Sequence, residues 1–115
     1  MPDLTKMTCV ACRGGMPPLT PDEMRELLPQ VADWQVVEHE GVQHLERTFK
    51  VKNFNAALEL ANRIGAIAEE QDHHPTLLLE YRKVTVNWWT HAIHGLHQND
   101  FIMAARTDQL YENQA

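Results

Sequence analysis

The chain has 115 residues, 43% hydrophobic and 23% charged, with a formal net charge of −6. That balance suits one ordered domain with a modest core, and the acidic surplus speaks against unspecific binding to nucleic acid or anionic membranes. No apolar run approaches the roughly 18 residues that span a bilayer, and Met1-Pro2-Asp3-Leu4-Thr5-Lys6 lacks the apolar stretch of a secretory signal, so the expected location is the cytoplasm and the expected partners are small molecules and proteins.

Residues 1–19 read as a flexible N-terminal segment ahead of a single domain over 20–115. This segment holds both cysteines, Cys9 and Cys12, in C-x-x-C spacing. Half a zinc site or a redox pair would use that spacing. Zinc needs two more ligands and no second C-x-x-C exists, while a thioredoxin-like site would adjoin a βαβ pattern that is absent. Two reduced thiols in a loose stretch, rich in Gly and Pro from Arg13 to Pro18, is the simpler reading.

Thr20-Pro21-Asp22-Glu23 is a capping box with Pro at the first helical position. It opens a short helix with Met24, Leu27 and Leu28 on one face, ended by Pro29. Trp34 to Glu38 and Val42 to Val51 then read as strands joined at Glu40-Gly41, with a fair period-2 alternation in the second. Asn53 is the expected N-cap of a long helix reaching about Glu70. Its apolar stripe is Phe54, Leu58, Ala61, Ile64, Gly65 and Ala68, and packing explains that stripe without any cofactor.

Thr76 to Tyr81 and Lys83 to Trp89 form a second expected hairpin, with Val84, Val86 and Trp88 on one face. Adjacent strand residues point to opposite faces. One of Trp88 and Trp89 therefore packs under the helices, and the other lies on the open face, available to a pocket or an oligomer contact. A last helix begins near 97–100 and ends near Tyr111. The order α-β-β-α-β-β-α, with strands grouped in hairpins, predicts an α+β domain: a four-stranded antiparallel sheet with three helices on one face.

The chemistry is concentrated in the histidines. Glu69, Asp72-His73-His74-Pro75 and Thr90-His91 frame the second hairpin, whose turn would bring His91 back near the other two. Histidine exchanges protons near neutral pH, with an unperturbed pKa of about 6.5. Pro75 fixes its own φ and keeps His74 out of helical geometry, so the pair sits in a held turn. By themselves, Glu69 also reads as a solvated helix residue and Asp100 as a helix cap.

The run Glu69-x-x-x-His73-His74-Pro75, then Tyr81, Thr90-His91, Gly95-Leu96 and Asp100 resembles the pterin-4a-carbinolamine dehydratases. The spacing from Glu69 to Asp100 follows that family's pattern without a gap. A looser likeness extends back through Trp34 to the capping box and forward to the end of the last helix. The resemblance implies dehydration of 4a-hydroxytetrahydropterin to quinonoid dihydropterin, which recycles the cofactor of aromatic amino-acid hydroxylases. It implies no metal and no redox cofactor, and assembly as a homodimer or homotetramer. His73, His74 and His91 are then the catalytic histidines, with His73 and His91 as the acid–base pair. Glu69, Asp72, Pro75, Tyr81, Thr90 and Asp100 bind substrate or support the histidines, Asp100 as a cap or a partner of His91. An aromatic amino-acid hydroxylase is a further partner this reading admits.

The chain departs from the family pattern in places that bear on pocket shape and substrate entry. His97 stands where Ser or Thr often opens the last helix; it is a poor cap, and Asn99 would cap instead. Trp88-Trp89 and His94 replace smaller residues. Two rival readings follow. His91-x-x-His94-x-x-His97 would suit a transition metal, although helical ligands usually sit at i and i+4. A non-enzymatic interaction, assembly or transcriptional cofactor on the same fold would not need three poised histidines.

Overall fold

Local cap and turn chemistry sets the element boundaries, and packing then selects the faces. The computed structural model describes residues 3–9 and 17–114; Cys12 and its neighbours in 10–16 lie outside the described residues, and with them half of the C-x-x-C motif. Helix α1 (Pro21–Leu27) starts with a reciprocal capping box: Glu23 N–H donates to Thr20 Oγ1 at 3.2 Å, and Thr20 N–H donates to Glu23 Oε1 at 2.9 Å. Helix α1 ends at Leu27, ahead of Pro29 as its sequence position suggests. Pro29 enters a 3-10 turn, Leu28–Val31, directly after α1, because proline fits the first turn of a helical segment without losing a needed donor.

Strands β1 (Gln35–His39) and β2 (Val42–Lys50) are joined at Glu40-Gly41, with φ of 51° and 81°. Two consecutive positive φ values make the turn that matches strand twist in tight hairpins. Helix α2 (Phe54–Gln71) begins at Asn53, whose side chain accepts the Ala56 N–H at 2.8 Å. Strands β3 (Thr76–Glu80) and β4 (Lys83–Trp88) follow, then a 3-10 turn at His91–Ile93 and helix α3 (Gln98–Gln114).

The fold is α+β, with three helices against one face of a four-stranded antiparallel sheet of order β1-β2-β4-β3. Register decides which side chains face the helices. Leu45 pairs with Trp88, Arg47 with Val86 and Phe49 with Val84; Leu45, Phe49, Val84, Val86 and Trp88 are all buried. The intervening residues, His44, Thr48, Thr85 and Asn87, take the other face by strand alternation. Helix α3 buries Phe101 to Ala105, and its second half is tied to the strands by Asp108, which accepts from Trp34 Nε1 at 2.8 Å and from Arg47 at 2.6 Å. Leu4 is buried in the same core, held where its N–H donates to Gln30 Oε1. Among the described residues, no helix is long and apolar enough to cross a membrane.

The apolar stripe of α2 is rotated from the one its sequence suggests. Ala57, Leu60, Ile64 and Ala68 form the buried line, whereas Phe54 is 43% and Leu58 38% exposed. Each helical residue advances about 100°, so Leu58 lies beside the buried line rather than on it. Leu60→Ala is therefore expected to cost about 2–5 kcal/mol and Leu58→Ala well under half of that. Paired urea denaturation of the two variants checks the assignment; equal losses would refute it.

Candidate active site

The end of α2 sets the site. Asp72 adopts a left-handed conformation, φ 51° and ψ 44°, and its N–H donates to Glu69 O while His73 N–H donates to Ala68 O at 3.1 Å. This 6→1 and 5→2 pair is a Schellman closure, with aspartate where glycine is usual. The reversal that follows sends His73 inward and His74 outward. His73 is 8% exposed, and its ring lies parallel to Trp88 with centroids 5.8 Å apart. His74 is exposed, and its Nε2–H donates to Glu69 Oε1 at 2.8 Å. Pro75 leads straight into β3.

Asp100 collects the inner half of the site. Its side chain is fully buried, at 0% exposure. Oδ1 accepts from His73 Nε2 at 2.6 Å; Oδ2 accepts from Thr90 Oγ1 at 2.8 Å and from the His97 N–H at 2.9 Å. A buried carboxylate is tolerable only when donors satisfy it, and charge-assisted bonds of this length are the strong ones. Its place in the first turn of α3 also favours negative charge. The partner of Asp100 is thus His73, reached across the fold, and not His91. His73 meets Asp100 through Nε2, so Nδ1 is the ring nitrogen that Asp100 does not engage.

The helix start also differs from expectation. His97 itself caps α3, its ring Nδ1 accepting the Asn99 N–H at 3.0 Å. An imidazole lone pair does here what a hydroxyl does in other caps, so Asn99 is not needed. The 90–95 loop between β4 and α3 is closed by Thr90 N–H to Gly95 O at 2.9 Å, and Leu19 N–H donates to Leu96 O at 2.9 Å. His94 turns this loop with φ 50°. A Cβ added at Gly95 would stand 3.1 Å from Pro18 Cβ, which explains glycine at this crossing.

His91 lies at the exposed start of the 3-10 turn, its ring stacked on Trp89 with centroids 4.3 Å apart. Trp88 is the tryptophan under the helices, where Nε1–H donates to Thr107 Oγ1, and Trp89 lies on the open face. Trp89 also stacks with His44, 4.0 Å away and 7° from parallel. His44 Nδ1–H donates to Asn87 Oδ1 at 3.2 Å. Neither His44 nor Asn87 stands out in the sequence. Their cross-strand pairing depends on the β2–β4 register, and the only local hint is that His44 falls on the face opposite Leu45.

The structure brings together His73, Thr90 and Asp100, and separately His74 with Glu69. Asp72 contributes its backbone turn, with an exposed side chain. Tyr81 is 70% exposed in the β3–β4 turn, at the far end of the hairpin from Pro75, beside Lys50, Arg82 and Lys83. It lies a strand's length from the histidines, roughly 16 Å. The His91, His94 and His97 spacing does not form a ligand set among the described residues. Among the described residues no group of three His, Cys, Asp or Glu side chains converges as metal ligands would.

Burial lowers the pKa of His44 below its ordinary 6.5, with the Asn87 hydrogen bond partly opposing it, and burial lowers His97 likewise against the pull of Asp100. Both bind protons more weakly folded than unfolded. As the pH falls below about 6.5 the unfolded chain takes up these protons first. Their contribution is whole above that pH and is lost as the pH falls toward the lowered folded values. The double variant His44→Phe, His97→Asn keeps a stacking ring and a capping oxygen. Its unfolding free energy is expected to fall less than the wild type's between pH 7.5 and 5.5, as read by urea titration; identical losses would sink the assignment.

Comparison with known proteins gives a consistent picture. A sequence model described as Pterin 4 alpha carbinolamine dehydratase matches residues 17–110. A protein of Nitrosococcus oceani is 55% identical over 113 residues, spanning 98% of this chain and 100% of its own length. One of Chlorobium luteolum is 50% identical over 112 residues, spanning 97% and 98%. Both bear the provisional name pterin-4-alpha-carbinolamine dehydratase. The crystal structure of a transcriptional coactivator/pterin dehydratase from Brucella melitensis superposes with a TM-score of 0.74 at 33% identity, over 81% of this chain and 97% of that one. A pterin dehydratase-like RuBisCO assembly factor of the alpha-carboxysome shares the fold, with a TM-score of 0.59 at 19% identity over 69% and 89% of the two chains.

Proposed function

Because the chain belongs to the pterin 4 alpha carbinolamine dehydratase family, we propose that it dehydrates a 4a-hydroxytetrahydropterin to the quinonoid dihydropterin and water, with histidines as acid and base. The observation that carries this reading is the buried Asp100 carboxylate, hydrogen-bonded to both His73 and Thr90. This carboxylate orients one imidazole and anchors the residue before a second, and paired proton transfer requires both groups to be held within reach of the substrate.

The reaction breaks the C4a–O bond, and the departing hydroxyl takes a proton and leaves as water. The N5–H proton leaves to a base as the quinonoid double bonds form. One donor and one acceptor complete the step without net change in protonation of the enzyme. His73 and His91 fill these two roles; Nδ1 of His73 is its exchanging atom, since Nε2 is committed to Asp100. His74, held by Glu69, hydrogen-bonds the pterin from the exposed side. In this reading Asp72 and Pro75 shape the turn that separates His73 from His74, and Tyr81, exposed at the far end of the hairpin, takes no part in the proton transfers. The protein works in the cytoplasm as a homodimer or homotetramer, alongside an aromatic amino-acid hydroxylase.

General acid–base catalysis of this kind accelerates a step by about 10²–10⁴-fold. His73→Ala and His91→Ala are each expected to lose most of that acceleration while keeping the fold, as followed by the ultraviolet absorbance of 4a-hydroxytetrahydropterin. Full activity in a His73 variant would remove it from the mechanism.

A binding role on the same fold is the second reading, favoured by the exposed Phe54 and Leu58 on α2. A folded wild type that does not accelerate dehydration yet captures a partner through α2 would establish it.

A further inference from the structure

Trp89 stacks with two imidazoles. The His44 ring lies 4.0 Å away at 7°, and the His91 ring 4.3 Å away at 29°. His39 stands behind His44, with centroids 4.7 Å apart. The stack therefore runs from the sheet to the 3-10 turn: β1 supplies His39, β2 His44, the residue after β4 Trp89, and the turn His91. The wide plane of Trp89 transmits the position of one imidazole to another.

The arrangement has a mechanical logic. His91 is exposed and stands on a short 3-10 turn, where a side chain ordinarily samples several rotamers. An acid or base must sit within hydrogen-bond reach of the reacting atom, and freedom at that group lowers the fraction of productive geometries. Stacking on a plane that is itself restrained restricts the ring. Trp89 is itself stacked on His44, which restrains the indole. His44 is in turn held in the sheet, by burial and by its Nδ1–H bond to Asn87 Oδ1 at 3.2 Å. A rigid strand pair thus supports a loop-borne imidazole, as precise sites require.

We propose that His44 and Trp89 are positioning residues for His91, acting through a His44–Trp89–His91 ring stack that holds the His91 imidazole against the sheet. The kinetic consequence rests on the dehydratase reading; the structural consequence does not. Positioning that matters in the transition state lowers kcat when lost and leaves KM little changed.

The test uses the full chain and three variants: Trp89→Leu, His44→Ala and His44→Phe. Two quantities are read, kcat and KM for 4a-hydroxytetrahydropterin dehydration, and the NMR shifts of the His91 ring protons. Stacking on an indole displaces those resonances upfield. Trp89→Leu is expected to lower kcat by about tenfold or more with KM within about twofold, on the scale that misplacing a catalytic group produces. His44→Ala should lower kcat in the same sense, and His44→Phe, which keeps a ring in the stack, should restore it. The His91 shifts should return to ordinary values in Trp89→Leu and His44→Ala and stay displaced in His44→Phe.

Unmoved His91 resonances in folded His44→Ala would overturn the proposal, as would an unchanged kcat in Trp89→Leu. Should His44→Ala not fold, Trp89→Leu set against His44→Phe still decides both readouts. A wild type with no dehydratase activity would overturn the functional reading alone, and the NMR shifts would still support or refute the stack.

Discussion

The buried carboxylate of Asp100 is the constraint on which the site depends. It gathers donors from three separate places: the end of α2 through His73, the end of β4 through Thr90, and the residue before α3 through His97. None of these segments adjoins the others in regular structure. Desolvating a carboxylate without partners would be prohibitive, so the three must arrive together. The same bonds that make the burial tolerable set the histidine geometry, which couples the integrity of the fold to the arrangement of the site.

Strand alternation divides the two functions of the β4 terminus. Trp88 fills the core and bonds Thr107 on α3, while Trp89, one residue later, faces the other way and enters the ring stack. A one-residue slip in β4 register would exchange them and lose both. The register is secured by the apolar pairs Leu45–Trp88, Phe49–Val84 and Leu77–Val86. Core packing therefore sets the site's outer wall as well as its inner one.

The turn after α2 divides the paired histidines in a similar way. A left-handed Asp72 closes the helix and reverses the chain within a residue. Adjacent imidazoles then meet different surroundings: His73 a buried carboxylate and the face of Trp88, His74 solvent and Glu69. Identical residue types adjacent in sequence become dissimilar groups in space.

Local signals in the chain determined much of this architecture. The capping box at Thr20, the Asn53 cap, the Glu40-Gly41 turn and the alternation in the strands each act within a few residues, and each is realised in the fold. Histidine spacing around the second hairpin marked the candidate site for the same reason, since a hairpin returns its ends to one place. Other features depended on partners distant in sequence. The rotation of the α2 stripe, the choice of His73 over His91 as the partner of Asp100, the cap formed by His97, and the His44–Asn87 and His44–Trp89 contacts were decided only by tertiary structure. Sheet register and helix packing bring residues 27 and 43 positions apart within hydrogen-bond reach, and those distances are properties of the assembled fold rather than of any local stretch of chain.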